Sequence, residues 1–167
     1  MPSTVVSLKV NGRAQEFLTR PGTTLLDALR DSVGLTASKK GCAQGTCGTC
    51  TVLLDGKPVF ACLVPVETVA GRSIETLEGL AAGDRLHPLQ ESFIEQFATQ
   101  CGFCTSGMIM AAKGLLARNA NPSRADVVRA ISGNVCRCTG YESIIDAVMA
   151  AAAKMKKSAS SRKKAAE

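Results

Sequence analysis

The 167-residue chain is 46% hydrophobic, enough for one ordinary domain or two small ones, which excludes a disordered or fibrous protein. Its net charge of +6 at pH 7 is concentrated at one end: six of the 20 Lys and Arg, but only one of the 14 Asp and Glu, lie in Lys154–Glu167. The remaining body is nearly neutral, and with six aromatics and no Trp it argues against a nucleic-acid surface. No apolar run reaches the roughly 18 residues of a membrane span, and Met1–Val10 lacks the basic start and apolar stretch of a secretory signal. A cytoplasmic protein without a membrane span is therefore expected, and eight cysteines in a reducing compartment point to metal ligation or redox chemistry rather than disulfides.

In chain order, VVSLKV and AQEFLT alternate in polarity about Asn11-Gly12, the strongest two-residue hairpin signal. Pro21-Gly22 ends that pair. TTLLDALRDSVGL then carries Leu25, Leu26, Leu29 and Val33 at helical spacing, with Thr23 or Thr24 as cap and Gly34 as stop. A second hairpin in TVLLDGKPVFACLVPV turns at Asp55-Gly56 and places Cys62 in its second strand. Hairpin, helix, loop and hairpin form the order of a β-grasp domain.

Beyond about Gly83 the period changes to that of helices. Pro88–Thr99 sets Leu89, Phe93, Ile94 and Phe97 on one face, and Gly107–Arg118 aligns Met108, Ile109, Ala112, Leu115 and Leu116. SRADVVRAI opens with Ser123 as cap and Asp126 three residues on, and Tyr141–Lys154 turns Ile144, Ile145, Val148 and Met149 inward. The expected class is α+β, with a β-grasp domain over residues 1–82 followed by a four-helix bundle over 83–153. Residues 154–167 are expected as a basic, disordered tail.

Cys42-x4-Cys47-x2-Cys50 with Cys62 downstream is the spacing of a plant-type [2Fe–2S] site. Gly41, Gly45 and Gly48 interleave these sulfurs and let the backbone wrap closely enough to aim N–H groups at them. A zinc knuckle has two close pairs and no use for three clustered ligands in a glycine-rich loop. The second set, Cys101-x2-Cys104 and Cys136-x-Cys138, is less specific. An antiparallel helix pair brings both halves to one end of a bundle, where spacing alone allows an iron–sulfur cluster, zinc or a vicinal redox disulfide.

KKGCAQGTCGTCTV, QCGFCTSGM and GNVCRCTGY together resemble the small iron–sulfur subunit of the molybdenum hydroxylases, the family of xanthine dehydrogenase, aldehyde oxidoreductase and aerobic carbon monoxide dehydrogenase. The resemblance runs from about Val5 to Ala153. It implies a ferredoxin-like β-grasp domain holding one [2Fe–2S] cluster through Cys42, Cys47, Cys50 and Cys62, and a helical domain holding another through Cys101, Cys104, Cys136 and Cys138. It further implies a large partner subunit whose molybdopterin lies beside the second cluster, with Gln100 and Cys138 touching the pterin. The first cluster then faces an acceptor, FAD in a medium subunit or a cytochrome. One departure is Ser106, where the family commonly has Pro.

Bond chemistry is not expected in this chain. Its one histidine, His87, lies in a His-Pro turn, and the acidic residues are scattered, so no base and substrate pocket can be assembled from the sequence. Lys39, Lys40 and Arg137 adjoin the sulfurs and are candidates to offset cluster charge, Arg137 most of all because it lies between two ligands. The reading is an electron-transfer subunit of an oxidoreductase. Its alternative is a free-standing two-cluster ferredoxin, which would have no use for a pterin-facing Gln100.

Overall fold

Asn11 and Gly12 take φ of 49° and 82°, and Asp55 and Gly56 take 47° and 77°, the paired left-handed values of a type I′ turn. In the computed structural model, which describes residues 3–164, these turns close the hairpins β1 (Thr4–Val10)/β2 (Arg13–Thr19) and β3 (Thr51–Leu54)/β4 (Lys57–Phe60). A short β5 (Ser73–Glu75) joins them, parallel to β1 and antiparallel to β3, giving the order β2-β1-β5-β3-β4.

Helix α1 (Leu25–Asp27) starts at Thr24, whose Oγ1 accepts from Asp27 N at 3.1 Å and donates to Asp27 Oδ2 at 2.8 Å. A wider turn, Ala28–Ser32, continues it, with Val33 N bonding Ala28 O at 3.0 Å. Leu25 and Leu29 are buried against Val6, Leu8, Val52 and Ile74 of the sheet, each such side chain contributing about 1.5–3 kcal/mol. This is the expected β-grasp. Cys62 differs from expectation: it lies in the 3₁₀ turn Ala61–Leu63, because the chain must leave the ladder after Phe60 to return towards Cys50, whose carbonyl accepts from Ala61 N at 3.3 Å.

Four helices follow: α2 (Pro88–Glu95), α3 (Thr105–Arg118), α4 (Arg124–Ile131) and α5 (Glu142–Lys164). Their core contains Leu89, Phe93, Met108, Ile131, Ile144 and Val148. Ser123 and Asp126 form a reciprocal capping box on α4.

Two expectations for these helices need correction. First, α2 stops at Glu95, and Ile94 and Phe97 face outward, 65% and 84% exposed. The left-handed turn at Phe97 reverses the chain and carries Ala98 inward in its place. Second, α5 runs to Lys164, so residues 154–164 are helical where a disordered tail was expected. Lys154 Nζ bonds Glu95 Oε1 at 2.7 Å and Glu91 Oε2 at 3.4 Å, Met155 packs against the helical core, and no Gly or Pro interrupts the run. The end of the tail, residues 165–167, lies outside the described residues.

Helix α3 joins the two layers. Its Gly114 faces β4 so closely that a Cβ there would lie 2.8 Å from Pro58 Cδ, and its Lys113 pairs with Glu75 of β5. Leu53 and Met110 are buried between the sheet and the helices. Among the described residues no helix is long and apolar enough to cross a membrane.

Candidate iron–sulfur centres

The eight cysteines close up in pairs. In the loop between α1 and β3, Cys42 lies within hydrogen-bonding range of Cys47, and Cys50 within range of Cys62, with Cys47 and Cys50 near enough to feel each other's charge. In the helical layer Cys138 Sγ is 3.6 Å from Cys101 Sγ, and Cys104 pairs with Cys136. Charge coupling between Cys101 and Cys104, and between Cys136 and Cys138, makes these pairs a second quartet. Among the described residues no three such donors converge on one ion-sized point. Each quartet is made of two sulfur pairs, Cys42/Cys47 with Cys50/Cys62 and Cys101/Cys138 with Cys104/Cys136.

The glycine-rich loop shapes the first quartet. A Cβ on Gly41 would lie 2.9 Å from Cys47 Sγ and 2.8 Å from Thr49 Oγ1, so only glycine lets the chain pass there. Gly45 lies against Leu63, and Gly48 is buried against the Gly133–Asn134 backbone. The loop N–H groups point at sulfur: Gln44 N and Thr46 N lie 3.5 and 3.3 Å from Cys42 Sγ. The Thr46 hydroxyl first, then Gln44 N–H and Cys47, hold the Cys42 thiol down to about 5, against burial. Cys50 goes the other way: burial, reinforced by Cys62 and Cys47, pushes it up to about 12.

The second quartet repeats this division. Burial and then Cys136 raise Cys104 to about 12. Burial also pushes Cys136 up, but hydrogen bonds from the Thr139 hydroxyl and Thr139 N, at 3.1 and 3.4 Å, outweigh it and leave the thiol lowered. The side chain of Cys101 is the main reason that exposed Cys138 is raised. A buried thiol held protonated at neutral pH becomes a ligand when a metal ion supplies the compensating charge, so the donor set fits iron.

Six of the eight cysteines, Cys42, Cys47, Cys101, Cys104, Cys136 and Cys138, line one cavity of about 330 Å³, so the quartets lie on either side of a shared space. Arg137 is exposed at the wall of this cavity. Gln100 is exposed beside Cys101. Lys40 is drawn away to Asp27, at 2.9 Å, and the Lys39 ammonium bonds Thr36 O at 2.8 Å, so neither lysine is committed to sulfur. Residues that the spacing of cysteines did not single out also support the sites. Thr49 Oγ1 is 3.2 Å from Cys47 Sγ, and the Tyr141 hydroxyl accepts from Cys136 N at 2.9 Å. Their signal in the sequence was position alone, a hydroxyl within five residues of a ligand.

A family model of a 2Fe–2S iron–sulfur cluster binding domain matches residues 8–77, and one of a [2Fe–2S] binding domain matches residues 76–149. The nicotinate dehydrogenase small FeS subunit of Eubacterium barkeri is 45% identical over 89% of this chain and 94% of its own length. The chain belongs to the small iron–sulfur subunits of the molybdenum hydroxylase family. A chain of quinoline 2-oxidoreductase from Pseudomonas putida 86 superposes on this iron–sulfur subunit with a TM-score of 0.89 and 48% identity, covering 93% of this chain and 97% of that one. The aldehyde oxidoreductase of Desulfovibrio desulfuricans ATCC 27774 matches with a TM-score of 0.89 and 49% identity over 92% of this chain but only 17% of its own, so there the same unit is one part of a much longer polypeptide. The subunit thus carries two 2Fe–2S binding domains, an N-terminal ferredoxin-like one and a helical one, and serves electron transfer in an oxidoreductase.

Proposed function

We propose that Cys42, Cys47, Cys50 and Cys62 hold one [2Fe–2S] cluster and Cys101, Cys104, Cys136 and Cys138 the other. The closure of the eight thiols into two quartets, one in each layer, carries this reading. Each cluster, when bound, accepts and releases single electrons. The chain's own part is to fix the sulfurs, to direct the N–H groups of Gln44, Thr46 and Thr139 at them, and to leave one edge of each site accessible. Donation to sulfur stabilises the added negative charge and so raises the reduction potential.

The accessible edge of the helical site is Cys101 and Cys138, both exposed, with Gln100 beside them. This exposure supports a docked large subunit whose molybdopterin contacts Gln100 and Cys138. Electrons enter the chain there and leave from the Cys42 side, where a FAD-binding medium subunit or a cytochrome receives them. Residues 1–82 and 83–153 divide these two tasks. Leu77 and Leu80, near the end of the first segment, pack on the helical core and so tie the two together.

Metal and sulfide analysis of the purified subunit tests the ligand assignment, with about four irons and four sulfides per chain expected. Zinc in their place would reject it. For the relay, Cys47→Ser in the assembled enzyme is expected to leave substrate reduction of molybdenum intact and to stop turnover with the external acceptor. Unchanged turnover would reject the route.

A further inference from the structure

Helix α2 ends in a motif that normally requires glycine. Phe97 N donates to Ile94 O at 3.1 Å and Ala98 N to Phe93 O at 2.9 Å, the two bonds of a Schellman cap. The donor of the first bond must be left-handed, and here it is Phe97, at φ 51°. A bulky residue in that region is strained by contact between its Cβ and the following carbonyl, and such strain concentrates where the surroundings or a binding role require it. The surroundings require the turn but not the ring: the turn buries Phe93 and Ala98, both 1% exposed, and directs the Phe97 ring into solvent, 84% exposed. Glycine would make the same cap without strain and without presenting an aromatic ring to water.

We propose that Phe97 is an anchor for the large subunit, its ring entering an apolar pocket on that partner. The proposal rests on the reading of this chain as a docked electron-transfer subunit and specifies where the docking energy lies. Three observations select this occupant. Phe97 is four residues from Cys101, at most about 14 Å of extended chain, so a partner seated over the exposed Cys101/Cys138 edge reaches it. Further apolar side chains are exposed on the same segments: Ile94 is 65% exposed, and Phe103 and Val135, about half exposed, help to line the sulfur-lined cavity. In the aldehyde oxidoreductase from Desulfovibrio desulfuricans the matching unit is 17% of one chain, so the remainder of that protein is available to cover it. Aromatic side chains seated in desolvated pockets dominate interface energetics.

The test uses the full chain and the large chain that copurifies with it, identified by mass spectrometry and then coexpressed. Phe97→Gly should unfold, when isolated, at a temperature at least as high as the wild type, because the cap is relaxed. The same variant should leave the complex at least tenfold faster than the wild type does. Phe97→Leu, which keeps an apolar side chain, should fall between the two, and Leu18→Ala, which truncates an exposed side chain on β2, should assemble normally. A Phe97→Gly complex as long-lived as the wild type would overturn the anchor while leaving the docked-subunit reading intact. A Phe97-dependent dimer of the isolated chain would overturn it in favour of a second copy. A cluster-loaded wild-type chain that binds no large partner would remove the underlying reading and the anchor together.

Discussion

The backbone N–H of Val135 donates to the carbonyl of Cys47 across 2.9 Å. Cys47 belongs to the first sulfur quartet and Val135 immediately precedes Cys136 of the second, so one hydrogen bond ties the two sites through main chain alone. Its surroundings fix it. Asn134 Nδ2 donates to Gly48 O at 2.8 Å and to Thr51 Oγ1 at 3.2 Å, all buried. Gly107 at the start of α3 lies against that same Gly48 carbonyl, closely enough that a Cβ would lie 3.1 Å from Asn134 Nδ2. Backbone meets backbone here, and the one side chain in the seam, Asn134, is buried and held by two hydrogen bonds, so the relative placement of the quartets follows from it.

Gly48→Ala should therefore be strongly destabilising. Gly48 has φ 70°, where an L-residue costs about 1–2 kcal/mol. The new methyl would also strike Gly133 O and lie 2.7 Å from Asn134 Nδ2. Gly56→Ala is the control, because Gly56 has φ 77° but no atom within 4 Å of where its new methyl would stand. Thermal unfolding of both variants should show Gly48→Ala losing roughly 1–3 kcal/mol more than Gly56→Ala, the difference being overpacking at the seam. Equal losses would show that the seam yields.

Local chemistry made much of this fold legible. Asn11-Gly12 and Asp55-Gly56 declare their hairpins because few residue pairs accept two positive φ values, and Thr24 and Ser123 declare helix starts because their hydroxyls meet a backbone donor three residues on. The cysteine spacings likewise separated the two quartets. The seam could not be read: Asn134 and Gly48 are 86 residues apart, and neither is unusual in its own neighbourhood. The outward turn of Phe97 was hidden because its spacing from Phe93 fits a buried helical face, and no glycine marks the cap. The extension of α5 was hidden because Lys and Ser dominate the stretch, and the bonds of Lys154 to Glu91 and Glu95 of α2 cross between distant parts of the sequence.

Ser106 is buried in the first turn of α3, and among the described residues its hydroxyl has no hydrogen-bond partner. A buried unpaired hydroxyl loses its hydration without recompense, and proline is tolerated in a helix's first turn, where the N–H has no carbonyl to bond. Ser106→Pro removes the orphaned group and also narrows the unfolded ensemble. The variant should gain about 1 kcal/mol in denaturant unfolding. A loss of similar size would mean that the ring strains Thr105 before it.

His87 caps α2 through its ring rather than idling in a turn. Nδ1 accepts from Leu89 N at 3.2 Å, while Gln90 Oε1 accepts from His87 N at 2.9 Å, a reciprocal box followed by Pro88. Only an unprotonated Nδ1 can accept. Burial, and then the nearby Lys113 charge, hold His87 below its ordinary value of 6.5, against the pull of Glu91. The unfolded chain therefore takes up the proton first, so this contribution is fully present above about 6.5 and is lost as pH falls through the lower folded value. His87→Asn retains a capping acceptor that does not titrate. Since His87 is the chain's one histidine, urea midpoints between about pH 7.5 and 5.5 should fall more steeply for wild type than for His87→Asn, and parallel curves would refute the ring's role as cap.

The distal turns of α5 should stabilise α2 although their composition is that of a solvated tail. Lys154 bridges Glu91 and Glu95, and Met155 adds apolar contact to the helical core. The Glu95 hydrogen bond first, and Glu91 after it, raise the Lys154 ammonium, so it stays charged throughout the neutral range. All three charged groups are partly exposed, and their attraction is screened by salt, whereas the packing of Met155 is not. A chain ending at Ala153 should melt at a lower temperature than the full chain, and the backbone amides of α2 should exchange faster in it. Lys154→Ala should reproduce a small part of that loss, diminishing at high salt, and Met155→Ala a larger, salt-independent part. If the shortened chain melts with the full one, the last turns of α5 form on the domain without supporting it.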